Sequence, residues 1–123
     1  MSGETESIKS FLEDYEEAFK TPDKKAVFLI GILTKFLLDV QYTNRGSTPF
    51  RSKMYSLKLN QRRLKRLFPE IVEKLREYNV SYPRLEKHIS EVLVEVENSG
   101  WNLSKDEISY YFALGLCLGG TFK

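Results

Sequence analysis

The chain has 123 residues, 41% hydrophobic and 13% aromatic, with a formal net charge of +2 at pH 7. This length suits one domain with a real core spanning 1–123, and the apolar content excludes a disordered chain and disfavours a long coiled coil. Charge is unevenly spread: from Gln41 to Pro69 there is no acidic residue, yet Arg45, Arg51, Lys53, Lys58, Arg62, Arg63, Lys65 and Arg66 fall there, so eight cations against a total of +2 leave −6 elsewhere.

The N-terminus, Met-Ser-Gly-Glu-Thr-Glu, is polar and acidic, unlike a secretory signal or transit peptide, and reads as a frayed lead-in over 1–6. Ile8, Phe11, Leu12, Tyr15 and Phe19 recur at helical spacing, predicting an amphipathic helix over about 5–20. Thr21-Pro22 restarts the chain, Thr as an N-cap and Pro in the first turn, for a helix over about 22–42. From Ala26 to Leu33 that helix is apolar on nearly every side, which requires burial, and Gly31 offers a neighbour close approach. The apolar stretch Ala26–Leu38 falls short of the roughly 20 residues of a bilayer span, so the expectation is a soluble, cytoplasmic protein without membrane contact.

Thr43 to Pro49 concentrates turn formers and predicts a loop. Asn60 then suits an N-cap, and Leu64, Leu67, Phe68, Ile71, Val72, Leu75 and Tyr78 keep one apolar stripe, with Pro69 projecting to the outer side. Pro83 opens a further helix carrying Leu85, Ile89, Val92, Leu93 and Val96 and ending at Asn98-Ser99-Gly100. Val92, Val94 and Val96 also alternate as in a strand, but the longer helical pattern is preferred. Ser104 and Glu107 have capping-box spacing, and the helix they start is apolar nearly all round from Ile108 to Leu118 before Gly119-Gly120 ends it. That helix is either central or part of a subunit contact. The fold class is all-α, a single compact helical bundle of about five helices.

The basic run has a defined direction. With the apolar stripe at zero, Arg62 falls at about 160° and Arg66 at about 200°, while Arg63 and Lys65 flank the stripe. No acid interrupts the cations until Glu70, whereas an ordinary solvated face mixes both signs at i, i+4. Crowded like charges cost stability, so a counter-anion is inferred. Arg45, Arg51 and Lys53 sit in or after the predicted loop, where Ser47, Thr48 and Ser52 also offer phosphate donors, so loop and helix are expected to form one groove. Tyr42, Phe50 and Tyr55 lie among these charges, either stacking on an unpaired base or, the preferred role, anchoring the loop to the core.

Catalytic signatures do not emerge: there is no Walker loop, G-x-S-x-G, H-E-x-x-H or cysteine pair, and the expectation is a non-enzyme with no metal and no cofactor. Asp14, Glu16 and Glu17, like Glu91, Glu95 and Glu97, are spaced as wet helix faces. His88 near Glu91 reads as a helix-rim contact. Cys117, the single cysteine, reads as a small buried hydrophobe in a reducing interior.

Three segments, Gln41-Tyr-Thr-Asn-Arg-Gly-Ser-Thr-Pro-Phe-Arg-Ser-Lys53, Leu67-Phe-Pro-Glu-Ile71 and Ser109-Tyr-Tyr-Phe-Ala-Leu-Gly115, resemble the C-terminal helical region of the large subunit of type I-B CRISPR effector complexes, over roughly residues 25–118. The first segment is the more specific. The resemblance implies a non-catalytic bundle similar in role to the small subunits of other Cascade complexes, and able to arise as an independent product of internal translation. A chain of this length with its own methionine fits such a product, and fits equally a piece of the longer chain. The implied partners are the CRISPR RNA-containing complex with its backbone and large subunits, neighbouring copies of the same chain, and single-stranded regions of target DNA in the R-loop. Assigning the eight basic residues to DNA comes from their pattern, not from the resemblance. Contacts from four to six of them predict a slope of about −3 to −4 in log K against log salt. Two alternatives remain open: a helical scaffold docking protein partners, and a stand-alone basic DNA-binding regulator.

Overall fold

Twenty-four residues, Pro22–Arg45, form the helix around which the rest of the chain packs. The computed structural model describes residues 3–46, 49 and 59–122. Among them are five α-helices: α1 (Gly3–Asp14), α2 (Pro22–Arg45), α3 (Gln61–Glu77), α4 (Pro83–Ser99) and α5 (Lys105–Leu118), followed by a 3₁₀ turn at Gly119–Phe122. No strand occurs among the described residues, and the valines of α4 lie on a helix, so the chain is a compact all-α bundle.

Burial of α2 follows from its sequence, since every residue from Ala26 to Thr34 is solvent-excluded. Thr34 satisfies its hydroxyl within the helix by donating to the Ile30 carbonyl at 2.7 Å. The helix also grows beyond the apolar stretch: Pro22–Asn44 is long and apolar enough to cross a membrane, contrary to the expectation from Ala26–Leu38. In this fold 72% of its apolar window is buried inside the protein, with α3, α4 and α5 as the apolar surroundings. The loop predicted from Thr43 is displaced as well. Thr43 and Asn44 turn their side chains back to the carbonyls of Asp39 and Val40, at 3.0 and 2.8 Å, and so remain helical until Gly46, at φ 75°, ends α2.

Against α2, α5 makes the most extensive helix contact among the described residues. Gly31 and Gly115 face each other across it. A methyl group added at Gly115 would stand 2.9 Å from Gly31 Cα and from the Ile32 amide nitrogen, and one at Gly31 would stand 2.6 Å from the Phe112 carbonyl oxygen. The expected close approach at Gly31 is therefore backbone against backbone. Successive contacts, Tyr111 near Lys24, Phe112 near Gly31 and Gly119 near Lys35, show that α5 runs in the same direction as α2. At its start, Ser104 accepts from the Glu107 amide and Glu107 accepts from the Ser104 amide, completing the predicted capping box.

The α3–α4 hairpin covers another side of α2. Asn60 caps α3 by accepting from the Arg63 amide at 2.8 Å, and the helix continues through Pro69, whose ring is exposed while Leu64, Leu67, Ile71 and Leu75 are buried. Asn79, at φ 58°, closes it, with the Val80 amide donating to the Leu75 carbonyl. Tyr82 then packs with its ring centre 4.8 Å from that of Phe36 and tilted by 40°, and α4 returns along α2 in the opposite direction. Its far end is tied to the start of α2 by Asp23, a buried carboxylate that accepts from the Asn102 amide at 2.9 Å, from the Lys24 amide and from the Thr21 hydroxyl.

One expectation about α1 differs from the structure. It begins at Gly3, with Thr5 buried. It stops at Asp14 rather than near 20, because residues 15–19 turn inward to bury Phe19, whose ring lies 4.7 Å from Phe28. Phe11 joins this cluster, 5.5 Å from Phe28 and 5.4 Å from Phe122.

Because the α2–α5 contact has no room for a side chain, Gly115→Ala is expected to destabilise the fold by about 1–3 kcal/mol or more through overpacking. Gly120→Ala, whose added methyl would meet Lys35 at 3.9 Å, is expected to change stability by less than about 0.5 kcal/mol. Urea unfolding midpoints of the two variants measure the difference.

Candidate nucleic-acid interface

Of the eight cations in the acid-free run, four lie on α3. Arg62, Arg63, Lys65 and Arg66 are all exposed, set outward by the burial of Leu64 and Leu67. Lys65 pairs with Glu97 of α4 at 2.5 Å, so one cation of the quartet is answered by the protein's own carboxylate. Arg62, Arg63 and Arg66 form no ion pair among the described residues. Together they make a row along the first two turns of α3.

The single groove expected of loop and helix falls mostly outside the described residues. Arg51, Lys53 and Lys58 lie outside the described residues, as do Phe50, Tyr55, Ser47, Thr48 and Ser52. Arg45 is the last residue of α2. The α3 row sits at the opposite end of that helix: Lys65 meets Glu97, three residues before the segment whose Asn102 amide bonds to Asp23 in the first turn of α2. At 1.5 Å per residue the two ends of α2 are about 35 Å apart, so the backbone of Arg45 lies at the far end of that helix from the row. Tyr42 lies on the last turn of α2 and is 60% exposed.

A cleft of about 400 Å³ opens where α3 and α5 begin, lined by Leu59, Asn60, Lys105, Asp106 and Ser109. The residue after Ser109, Tyr110, is 61% exposed, its ring 5.1 Å from that of Tyr111. It was not legible as a surface residue because Ile108 to Leu118 reads as uniformly apolar. The fold instead buries Ile108, Phe112, Gly115 and Leu116 and turns Tyr110, Ala113 and Cys117 outward. Cys117 is therefore exposed, correcting its reading as a buried hydrophobe.

The acids expected on wet helix faces, Asp14, Glu16, Glu17, Glu91, Glu95 and Glu97, are exposed. His88 is more than a rim contact. It borders a hollow of about 440 Å³ between α1 and α4 with Glu6, Lys9, Arg84, Lys87 and Glu91, and its Nε2 is excluded from solvent with no hydrogen-bond partner among the described residues. Burial foremost, then Lys9 and Lys25, hold its pKa below the ordinary 6.5, while Glu91 and Glu95 oppose them.

A sequence-family model described as CRISPR-associated protein TM1802 (cas_TM1802) C-terminal domain matches the chain over residues 1–123. No curated protein and no solved structure matches it.

The His88 environment sets a pH dependence with a definite sign. Its folded pKa is lowered, so between that value and 6.5 the unfolded chain binds more protons and stability falls as pH falls. Unfolding free energies at pH 7.5 and 5.5 are expected to differ less in His88→Gln than in the unaltered chain. An equal pH response in both would remove His88 as a source of it.

Proposed function

Since the chain belongs to the family of CRISPR-associated protein TM1802 C-terminal domains, we propose that it is a non-catalytic small subunit of an RNA-guided, Cascade-type complex of type I-B. In this role it holds single-stranded parts of target DNA in the R-loop through their phosphates. It also bridges the backbone and large subunits in the cytoplasm, beside neighbouring copies of itself. The observation that carries the strand-holding part is the α3 row: three exposed arginines, Arg62, Arg63 and Arg66, with no ion pair among the described residues and no acid in sequence until Glu70.

The chemistry suits a backbone contact rather than base reading. Guanidinium forks match phosphate oxygens and keep their charge at any physiological pH. In an R-loop, guide pairing reads the sequence, and the exchange of one duplex for another is nearly balanced, so modest contacts to a displaced or paired strand tip it. Three or four such contacts on single-stranded DNA give a slope of about −2 to −3 in log K against log salt. Affinity for one copy is therefore low and sequence-independent, and copies aligned on one complex gain through avidity.

The scaffold reading has its own support in α5, whose outward face from Tyr110 to Cys117 carries no charge. Charge reversal separates the two. Arg62→Glu with Arg66→Glu is expected to abolish most strand binding and flatten the salt slope by about 1.4, while assembly with the other subunits persists. Failed assembly with unchanged strand affinity would instead assign α3 to a protein contact. Electrophoretic mobility shifts across a salt series, run beside co-purification of the complex, read both outcomes.

A further inference from the structure

Among the described residues one carboxylate reaches the basic row, and it comes from another helix. The Lys65 ammonium on α3 lies 2.5 Å from Glu97 Oε1 on α4. Buried neighbours set both positions: Leu64 and Val96 are fully excluded from solvent, and the Asn102 amide bonded to Asp23 ties the end of α4 to α2. The place of this carboxylate is therefore part of the fold. Its contact with the lysine is not sealed, since the two side chains stay 44% and 61% exposed.

Each charge sits where its own helix disfavours it. Arg62, Arg63, Lys65 and Arg66 crowd the first two turns of α3, at the positive end of its dipole, and no acid lies in the first turn. Glu97 lies in the last turn of α4, at the negative end, and no base lies there. A negative group against the row relieves both helix ends. Glu97 supplies one at Lys65 alone, because Arg62, Arg63 and Arg66 form no ion pair among the described residues. The carboxylate thus takes the place that a phosphate would take beside Lys65. An ion pair this exposed is weak enough to be exchanged.

We propose that Glu97 competes with the strand for Lys65 and so holds the row to three phosphate contacts instead of four; this rests on the strand-holding role proposed above. Such a restraint suits that role, since contacts uniform along any strand must stay weaker than guide pairing if pairing is to choose the sequence. The test measures anisotropy of a labelled mixed-sequence single strand, about twenty nucleotides long to exceed one site, across a salt series, with helix content checked by circular dichroism. Glu97→Gln is expected to tighten binding about 2- to 5-fold and to steepen the slope of log K against log salt by about 0.7, the share of one phosphate. Lys65→Gln is expected to change affinity by less than about two-fold in the unaltered chain but to cancel the gain in the Glu97→Gln background, the non-additivity of a shared partner. Glu95→Gln removes a charge from the same helix on its His88 flank. It is expected to leave the salt slope unchanged and to give less than half the gain, because charge at a distance is screened.

Unchanged affinity in Glu97→Gln overturns the competition. So do equal gains from Glu97→Gln and Glu95→Gln, which show a general effect of charge, and an equal loss from Lys65→Gln in both backgrounds, which shows that Lys65 holds phosphate regardless of Glu97. Failure of the strand-holding role looks different: the unaltered chain does not bind the strand, or binds it with no response to Arg62→Glu with Arg66→Glu, and this overturns both proposals.

Discussion

The contact between Gly31 and Gly115 sets the geometry of everything else. Two helices can approach until backbone meets backbone only where both lack a Cβ, and here the clearance is smaller than any side chain needs. That proximity brings α5 onto the stretch of α2 from Ala26 to Thr34, which is buried on every side. It also fixes the rotation of α5. Once Phe112, Gly115 and Leu116 face α2, Tyr110, Ala113 and Cys117 must face out, although the sequence of α5 is almost equally apolar on both sides. An exposed aromatic on this helix is therefore a consequence of where its glycine lies.

Electrostatics is organised by the same axis. The acid-free run reads as one strip along the chain, but α2 is a rigid spacer of about 35 Å between Arg45 and the end where α3 begins. At that end four elements converge: the first turn of α2, held by Asp23; the last turns of α4, with Glu97; the cap of α3 at Asn60; and the cap of α5 at Ser104. Lys65 spends its charge there on Glu97, an exposed pair worth little in stability but enough to orient α3 against α4. Its three arginine neighbours have no such role inside the described fold, and this separation between structural and unspent charge is what gives the row its meaning.

Most of the local architecture was legible because it depends on chemistry within a few residues. Asn60 and the Ser104–Glu107 pair announce helix starts through the donors they satisfy, Pro83 suits a first turn, and the α3 stripe survives Pro69 because that ring points outward. Failures occurred where a local signal was ambiguous or the deciding contact was distant. Thr43 and Asn44 favour turns, but each also bonds back four residues, and with α2 already propagated that option extends the helix. Asp23 gave no sign of burial, because its partner Asn102 is 79 positions away. The site was half legible for the same reason. Arg62 and Arg66 were placed outward by periodicity, whereas the pairing of Lys65 with Glu97 and the exposure of Tyr110 required tertiary structure.

A protein that holds strands without reading them must not compete with guide pairing for the choice of sequence. Phosphate contacts satisfy that condition, being uniform along any strand. In the proposed role the arginines of α3 supply them, and their outward placement follows from the burial of Leu64 and Leu67 beneath the row.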